Sequence, residues 1–276
     1  MNSVLISGAT GFLGSRVVLA LPLVEKVCLV RSSATITGCE MWNLDKIVPK
    51  PMDAFVHCAA QVHPDAGTHN IELTKRMLDI AKACQVKHFI FISSYVVETD
   101  AVTAYAVAKR AEEALVKESG IPFTIFRPTA IFGKGDKLTI GKLQDRIRSG
   151  KLMPLPAGGT AVMQPIFADD LAHLIASALD KKPLNKKYTV GGTPTCLRDM
   201  VVLISELEQK KKRTLVVPIV FMLGVVHILQ LFKLAPIHSG QVRNLGRDFK
   251  VNLEPLQKDF NFVPTNFDKA IRSIYQ

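Results

Sequence analysis

Two side chains with complementary chemistry lie four residues apart in the chain, Tyr105 and Lys109. On a helix this spacing places the phenol and the ammonium group on the same face. A tyrosine exchanges protons readily near neutral pH only if its pKa falls by about 3 units from about 10, which corresponds to roughly 4 kcal/mol. One lysine charge about 4 Å away, at an effective dielectric constant of about 20, supplies energy of that order. The spacing therefore predicts an acid–base tyrosine whose pKa is lowered by its lysine neighbour.

Two hydroxyl groups, Ser93 and Ser94, precede this pair and directly follow the apolar run 89–92. If that run is a strand of a parallel sheet, both hydroxyls lie at its carboxyl end, where such sheets bind ligands. Ser94 would then donate a hydrogen bond to a substrate oxygen while Tyr105 transfers the proton. Taken alone, the two serines are equally typical of an ordinary turn after a strand.

A glycine-rich turn at residues 8–14, Gly-Ala-Thr-Gly-Phe-Leu-Gly, follows the apolar run 4–6 and opens a helical pattern. Gly8 allows a tight turn, Gly11 lets the backbone approach phosphate oxygens, and Gly14 allows close packing of helix on strand. This spacing is typical of a turn that binds the pyrophosphate of a nicotinamide dinucleotide. The cofactor contacts predicted here are Gly8, Thr10, Gly11, Phe12, Leu13 and Gly14.

Arg31 and Ser32, at the end of the second apolar run, are expected to select the cofactor. An acidic side chain there would accept hydrogen bonds from a ribose 2′-hydroxyl, whereas a basic one would pair with a 2′-phosphate. Arg31 offers a planar guanidinium, Ser32 adds a hydroxyl donor, and Arg16 on the first helix is near enough to contribute. NADP(H) is therefore favoured over NAD(H), although Arg31 stacked on the adenine would serve either cofactor.

The composition indicates a folded intracellular protein. The net charge is +11, but no aromatic residues interleave with the basic clusters 181–182, 186–187 and 210–213, so nucleic acid is not expected as a partner. The five cysteines are widely spaced, and no histidine pair has the spacing of two metal ligands on one helix. No secretory signal is recognisable at the amino terminus. We therefore expect reduced thiols, no metal and a cytoplasmic location.

Short apolar runs alternate with longer helical patterns over the first half of the chain. The candidate strands are residues 4–7, 27–30, 54–57, 88–92 and 123–126, and the candidate helices between them include 71–84 and 104–117. Because each run is almost wholly apolar, both faces of the sheet should be covered. The pattern predicts the α/β class, with a doubly wound parallel sheet (Rossmann fold) and a smaller carboxyl-terminal substrate-binding region.

The regular alternation fades after Gly133. We expect residues 1–133 plus parts of 160–192 to form the dinucleotide-binding domain. Residues 134–159 and 193–276 are expected to form the substrate-binding region. Two further helices are predicted, at 169–179 and 197–207.

These motifs, taken in order, resemble those of the extended short-chain dehydrogenase/reductase family, the NAD(P)-dependent epimerase/dehydratase group. The resemblance covers nearly the whole chain and includes His57-Cys58-Ala59-Ala60, Asn70, Arg127-Pro128, Gly133 and the run from Phe167 to Ala172. It implies that Ser94 polarises a carbonyl or hydroxyl group, that Tyr105 is the acid–base, and that Lys109 binds the nicotinamide ribose and lowers the tyrosine pKa. The other cofactor contacts that we expect are Asn43, Leu44, Cys58, Ala59, Ala60 and Pro128.

The resemblance implies an NAD(P)(H)-dependent oxidoreductase or epimerase that transfers a hydride to or from the carbon of a carbonyl or secondary hydroxyl group of a small molecule. It also implies a homodimer. The alternative is a non-catalytic dinucleotide-binding subunit with a structural or regulatory role. The presence of Ser94, Tyr105 and Lys109 together favours the enzyme.

Three departures from the family pattern bear on the site. Only about a dozen residues separate Val30 from Asn43, so the helix usual between the second and third strands is expected to be shortened or missing. Asn43 stands where the family often has an aspartate near the adenine. Ser94 and Tyr105 are close in sequence, and Val97-Glu98 replaces the Tyr-Gly pair usual after the serine in members that act on sugar nucleotides. The loop around the substrate should therefore be short, which makes a sugar-nucleotide substrate less favoured.

The segment 215–234 is almost uninterrupted apolar sequence behind a basic cluster. A helix of the substrate domain is favoured over an interfacial membrane helix, and that over a membrane span, since the segment contains a proline and polar residues. An apolar region suits a steroid-like, acyl or aryl ketone, as in the 3β-hydroxysteroid dehydrogenase and flavonoid reductase branch of the family that the chain resembles. Six basic residues could instead neutralise the diphosphate of a sugar nucleotide: Lys134, Lys137, Lys142, Arg146, Arg148 and Lys151. Peripheral membrane contact through 215–234 stays an option.

Overall fold

The computed structural model describes residues 1–31, 35–61, 67–211, 213–222, 224 and 247–276. The strands are β1 Ser3–Ser7, β2 Glu25–Val30, β3 Glu40–Asn43, β4 Ala54–His57, β5 His88–Ile92, β6 Phe123–Pro128, β7 Ile131–Phe132, β8 Met153–Pro156, β9 Val162–Met163, β10 Ile166–Phe167, β11 Lys186–Val190, β12 Thr195–Cys196 and β13 Thr214–Val217. The α-helices are α1 Gly14–Ala20, α2 Gly67–Ala83, α3 Ala104–Glu118, α4 Ile140–Arg148, α5 Ala168–Leu179, α6 Leu197–Leu207, α7 Glu254–Phe260 and α8 Phe267–Ile274.

Seven parallel strands form the main sheet in the order β11-β6-β5-β4-β1-β2-β3. Strands β1, β4 and β5 at its centre are buried along almost their whole length, as expected for strands covered on both faces. Helix α1 packs with α5, and α2 packs with α3, so the flanking helices form two groups. All five predicted strands lie in this sheet, and the predicted doubly wound α/β class is confirmed.

Helix α3 begins at a capping threonine and has an unusually charged buried face. Thr103 Oγ1 accepts a hydrogen bond from the backbone nitrogen of Ala106 at 3.2 Å, which satisfies one of the free donors at the helix start. Lys109, Glu112 and Glu113 on this helix are each at most 2% exposed. Buried charges are tolerated when they pair with one another or with nearby donors. Lys109 and Glu112 form such a pair with each other, and Glu113 pairs with Arg127.

The connection between β2 and β3 is short. Residue 31 and residues 35–39, the parts of this connection that the structure describes, contain no helix. The two strands nevertheless pair in parallel, with Val30 opposite Asn43. The predicted shortening of this connection therefore leaves the sheet intact and places the ends of β2 and β3 side by side.

The chain divides into two compact units. The first comprises Met1–Thr129, Ala168–Val190 and Asn252–Val263, and the second comprises Ala130–Phe167, Gly191–Val251 and Pro264–Gln276. The segment Asn252–Val263 thus belongs to the first unit, whereas we expected it in the substrate-binding region. The reason is aromatic packing, since the ring centroid of Phe260 lies 5.9 Å from that of Phe126 and 5.1 Å from that of Tyr188.

The second unit has a hydrophobic core of its own. Its buried side chains come from α4, α6, α8 and the short strands β7 and β8. The rings of Phe132 and Phe267 lie 5.1 Å apart between their centroids. This unit carries the two-stranded pairings β10-β7, β12-β9 and β13-β8.

The start of the apolar segment 215–234 differs from the predicted helix. Residues 214–217 form strand β13, which pairs in parallel with β8, and helical backbone begins only at Ile219. Consecutive β-branched residues, Val216 and Val217, suit a strand better than a helix. Residues 223 and 225–234 of the segment lie outside the described residues. None of the helices that the structure describes is long and apolar enough to cross a membrane.

Candidate active site

The glycine turn between β1 and α1 is shaped by close backbone contacts. Gly8 has a φ of +73°, and a Cβ atom added there would lie 2.7 Å from the backbone nitrogen of Ala59. A Cβ atom on Gly14 would lie 2.1 Å from the carbonyl oxygen of Gly8. The backbone nitrogen of Gly11 donates to the same oxygen at 2.8 Å. Only glycine fits at Gly8 and Gly14 without a shift of the backbone.

The exposed part of this turn is available to a ligand. Thr10 and Gly11 are exposed, whereas Leu13 and Gly14 are buried and Phe12 is half-buried. Because Ser7 pairs with His57 across β1 and β4, the turn lies at the same edge of the sheet as residues 58–60. A tight glycine turn at the carboxyl ends of parallel strands fits the pyrophosphate of a dinucleotide.

Residues 58–60 begin directly after β4. The backbone nitrogens of Cys58 and Ala59 donate to the carbonyl oxygen and the hydroxyl of Ser7, at 3.2 and 3.4 Å. Ala60 is exposed, and Cys58 and Ala59 are half-buried. Burial raises the pKa of the Cys58 thiol to about 12, so this thiol stays neutral at physiological pH.

Arg31 is exposed directly after β2, and Ser32 lies outside the described residues. The side chain of Arg16 makes contacts within the first unit. Its guanidinium donates to the carbonyl oxygen of Phe12 at 2.6 Å and forms an ion pair of 2.8 Å with Asp169. A contribution of Arg16 beside a ribose phosphate stays a prediction from the sequence.

Asn43 and Leu44 lie at the end of β3, next to the end of β2. The backbone nitrogen of Leu44 donates to the carbonyl oxygen of Val30 at 2.9 Å. Asn43 is exposed, and its side-chain oxygen accepts from the backbone nitrogen of Asp45 at 2.9 Å. These two residues therefore lie at the same edge of the sheet as Arg31.

The two serines after β5 have different partners. Ser93 is buried and donates to Glu113 Oε1 at 2.7 Å, while Glu113 also receives two hydrogen bonds from Arg127, at 2.7 and 2.6 Å. Ser94 is half-buried and begins the 3₁₀ turn Tyr95–Glu98, where its hydroxyl accepts from Val96 at 3.3 Å. Ser93 therefore stabilises the fold, and Ser94 is the serine left at the sheet edge.

Ser94 lies beside Tyr105, close enough to affect the pKa of its phenol. Burial is the largest influence on Tyr105 and raises the pKa of its phenol above the usual range. The hydrogen bond from Ser94 lowers this pKa, and the negative charge of Glu112 raises it. The sequence predicts a pKa lowered by Lys109, but in this structure the burial of the phenol outweighs any such effect.

Lys109 lies one helical turn beyond Tyr105 and is fully buried. Its Nζ donates to Glu112 Oε2 at 3.0 Å and to the carbonyl oxygen of Ile92 at 3.3 Å, and it lies 4.8 Å from the ring centroid of Phe91. Burial lowers the pKa of Lys109, and the charge of Glu112 opposes that effect. Ser94, Tyr105 and Lys109 are therefore brought together as predicted, with Glu112 as an additional member.

Sequence reasoning missed Glu112, although a signal for it existed. Position 112 follows Lys109 by three residues, a spacing that places it on the buried face of α3 together with Ala108 and Val116. An acidic residue at such a position is ordinarily a solvated partner on a helix surface. Here its side chain is 1% exposed.

Pro128, the last of the predicted cofactor contacts, ends β6 and lies opposite Val190 of β11. It is buried in the first unit. Among the described residues there is no group of three or more His, Cys, Asp or Glu side chains that could hold a metal ion. The absence of a metal from the functional protein stays a prediction.

A family model and two curated proteins are similar to this chain in sequence. The family model described as "NAD dependent epimerase/dehydratase family" matches residues 4–191. The UDP-glucose 4-epimerase of Vibrio cholerae is 27% identical over 259 residues, which cover 74% of this chain and 76% of that protein. The ceramide reductase of Caulobacter vibrioides is 30% identical over 195 residues, with 63% and 60% covered.

A solved structure shows the same fold. The UDP-glucuronic acid 4-epimerase of Bacillus cereus in complex with NAD superposes with a TM-score of 0.75 at 16% identity, covering 99% of this chain and all of that chain. The fold and the sequence motifs are consistent with the family match, which indicates an NAD(P)-dependent enzyme. The chain belongs to the NAD-dependent epimerase/dehydratase family.

Proposed function

We propose that this enzyme transfers a hydride between a nicotinamide cofactor and a carbonyl or secondary hydroxyl carbon with Ser94, Tyr105 and Lys109 as its catalytic residues. The observation that carries the proposal is the placement of Ser94 beside Tyr105, with the buried Lys109 one turn along the same helix. A bound nicotinamide dinucleotide would supply or accept the hydride.

Each of the three residues has a task that its surroundings support. Ser94 donates a hydrogen bond to the substrate oxygen and polarises it. When a carbonyl is reduced, the phenolic proton of Tyr105 goes to that oxygen; in the reverse direction the tyrosine takes the proton back. The buried ammonium group of Lys109 stabilises the phenolate that forms between these steps.

The glycine turn and residues 58–60 would hold the cofactor phosphates, with Asn43, Leu44 and Pro128 as further contacts. NADP(H) is the proposed cofactor because Arg31, exposed at the end of β2, presents a cation where a 2′-phosphate would lie. The Bacillus cereus relative was solved with NAD, so a preference for NADPH has to be measured for this chain.

An apolar carbonyl compound is the proposed substrate class. Two of the six basic residues that could neutralise a diphosphate are already used within the second unit, since Arg146 donates to the carbonyl oxygen of Leu152 and Arg148 pairs with Glu208 at 2.8 Å. The second unit also exposes Val216 and Phe221, at 59% and 66%. The ceramide reductase of Caulobacter vibrioides acts, by its name, on a lipid.

The test is an assay of the purified protein with two arms. Oxidation of NADPH is followed with a panel of acyl, aryl and steroid ketones, and epimerisation is followed with UDP-glucose and UDP-galactose. Turnover in the ketone arm supports the proposed substrate class, and turnover only with the sugar nucleotides contradicts it. Loss of turnover in Tyr105→Phe is expected in either arm, whereas an inert protein that still binds NADPH would support a non-catalytic subunit.

A homodimer, a cytoplasmic location and membrane contact through residues 215–234 stay predictions from the sequence. Flotation with anionic liposomes tests the membrane contact, and neutralising Lys210, Lys211 and Arg213 should reduce it.

A further inference from the structure

Lys109 and Glu112 form an ion pair with almost no access to solvent. The Nζ–Oε2 distance is 3.0 Å, and the two side chains are 2% and 1% exposed. The second polar contact of Lys109, to the carbonyl oxygen of Ile92, is longer at 3.3 Å. A lone ammonium group in such a place would lose its proton readily because burial disfavours the charged form.

A directed chain of hydrogen bonds ends on the same carboxylate oxygen. Thr74 donates to Glu112 Oε2 at 3.0 Å, so its own oxygen must accept from His57 Nε2, 3.1 Å away. His57 Nδ1 is then the acceptor for the hydroxyl of Ser7 at 2.6 Å. Burial lowers the pKa of His57 to about 3, so its ring is neutral and does not compete with Lys109 as a cation.

The other groups that face Lys109 offer it no comparable counter-charge. Glu113 is held in a two-pronged pair by Arg127, at 2.7 and 2.6 Å. Cys58 carries a thiol whose pKa burial raises to about 12. On β5, the ring of Phe91 lies 4.8 Å from Lys109 Nζ and carries no net charge. Glu112 is therefore the anion that compensates this ammonium group.

We propose that Glu112 is a positioning residue that keeps the buried Lys109 protonated and holds it one turn from Tyr105. Glu112 acts through Lys109. Among the described residues its Oε1 has no hydrogen-bond partner, so the carboxylate makes its polar contacts through Oε2, with Lys109 and Thr74. The consequence for the reaction, which rests on the function proposed above, is that Glu112 sets how far toward alkaline pH the enzyme works. Sequence spacing alone assigned no such role.

The experiment is a nuclear magnetic resonance titration of the full-length protein without cofactor. The lysine side chains carry ¹³C at Cε, and the Lys109 signal is assigned by its loss in Lys109→Met. In the native protein this signal should be that of a protonated amine at pH 7. In Glu112→Gln its midpoint should fall by at least about one pH unit, whereas Glu118→Gln, an exposed substitution on the same helix, should leave it unchanged.

Three results would overturn the proposal. They are a neutral Lys109 at pH 7 in the native protein, an unchanged Lys109 midpoint in folded Glu112→Gln, and a midpoint in Glu112→Asp as low as in Glu112→Gln. Glu112→Asp keeps the negative charge, so its Lys109 midpoint should stay close to that of the native protein. If Glu112→Gln does not fold, the midpoint in Glu112→Asp still tests the proposal. A purely structural role would lower thermal stability in both variants without moving the Lys109 midpoint.

The activity profile adds a second readout. The alkaline limb of kcat/KM should move to lower pH in Glu112→Gln, because the Glu112 charge raises the pKa of both Lys109 and Tyr105. Because the resonance titration needs neither cofactor nor substrate, a shifted midpoint in a protein that fails to bind NADPH would support the role of Glu112 and contradict the proposed function separately.

Discussion

The backbone of Gly8 lies so close to Ala59 that a Cβ atom on the glycine would come within 2.7 Å of the Ala59 nitrogen. This contact joins the turn after β1 to the segment after β4, the two pieces of backbone that we propose to contact the cofactor. The turn is therefore shaped by its neighbouring strand as well as by its own glycines.

Replacing Gly8 by alanine should be more damaging than replacing a glycine with the same backbone angle elsewhere. Gly38 has a φ of +74° and nothing within 4 Å of an added Cβ atom. Gly38→Ala should lower the free energy of unfolding by about 1 kcal/mol, and Gly8→Ala by about 3 kcal/mol or more, since steric overlap is added. Urea denaturation of both variants measures the difference. Equal losses would show that the Ala59 contact is unimportant.

Tyr105→Phe should lower turnover by roughly 10²–10⁴-fold because the proton donor is lost, while the dissociation constant for NADPH changes by less than about twofold.

Ser94→Ala should lower turnover by roughly 10²-fold. Its pH profile should also move to higher pH, because the hydrogen bond that lowers the pKa of Tyr105 is removed. Tyr188→Phe, which removes only a hydrogen bond to Asp259, is the matched control and should retain activity.

The stability of the fold should fall as the pH drops below the ordinary range of histidine. Burial lowers the pKa of His57 from 6.5 to about 3. Between pH 6.5 and pH 3 the imidazole is therefore protonated in the unfolded chain and neutral in the folded chain. The free energy of unfolding should therefore decrease from about pH 6.5 downward, by about 2 kcal/mol at pH 5 for this residue.

The variant His57→Gln tests this assignment. Glutamine keeps hydrogen-bonding groups near Ser7 and Thr74 but does not titrate, so the dependence of stability on pH should become shallower. The exposed His69 provides the control, because His69→Gln should leave the slope unchanged. The same slope in His57→Gln and in the native protein would contradict a neutral buried imidazole.

Arg31→Ala should discriminate between the two cofactors. Loss of a charge-assisted contact to the 2′-phosphate should raise the dissociation constant for NADPH about tenfold, equivalent to about 1.4 kcal/mol. The constant for NADH should change by less than about twofold. Lys46→Ala, a nearby exposed cation, serves as the control in fluorescence titrations. Equal effects on the two cofactors would mean that Arg31 stacks on the adenine or does not reach the cofactor.

Patterns that depend on local chemistry were readable from the sequence. The apolar runs identified five of the seven strands in the main sheet, because strands buried on both faces admit few polar residues. The glycine turn was readable because the backbone at Gly8 and Gly14 leaves no space for a side chain. The prediction that Ser94, Tyr105 and Lys109 converge followed from chain order and parallel topology.

What the sequence did not reveal depends on contacts between distant segments. The ion pair between Arg16 and Asp169 joins α1 to α5, and no local sequence pattern predicts it. Residues 215–217 belong to the apolar run for which a helix is predicted, but pairing with the distant strand β8 makes them part of β13. The burial of Glu112 results from the packing of α3 against α2 and β5. The raised pKa of Tyr105 has its largest cause in the burial of the phenol itself.

The central claim is that the sheet edge formed by the glycine turn, Ser94 and Tyr105 binds a nicotinamide dinucleotide. The protein has one tryptophan, Trp42, which lies on β3 directly before the proposed contacts Asn43 and Leu44. Excitation of Trp42 during a titration with NADPH should give energy transfer to the reduced nicotinamide, with saturation in the native protein and none in Gly8→Ala. A native protein whose tryptophan emission stays unchanged up to millimolar NADPH, with no heat of binding by calorimetry, would contradict the claim.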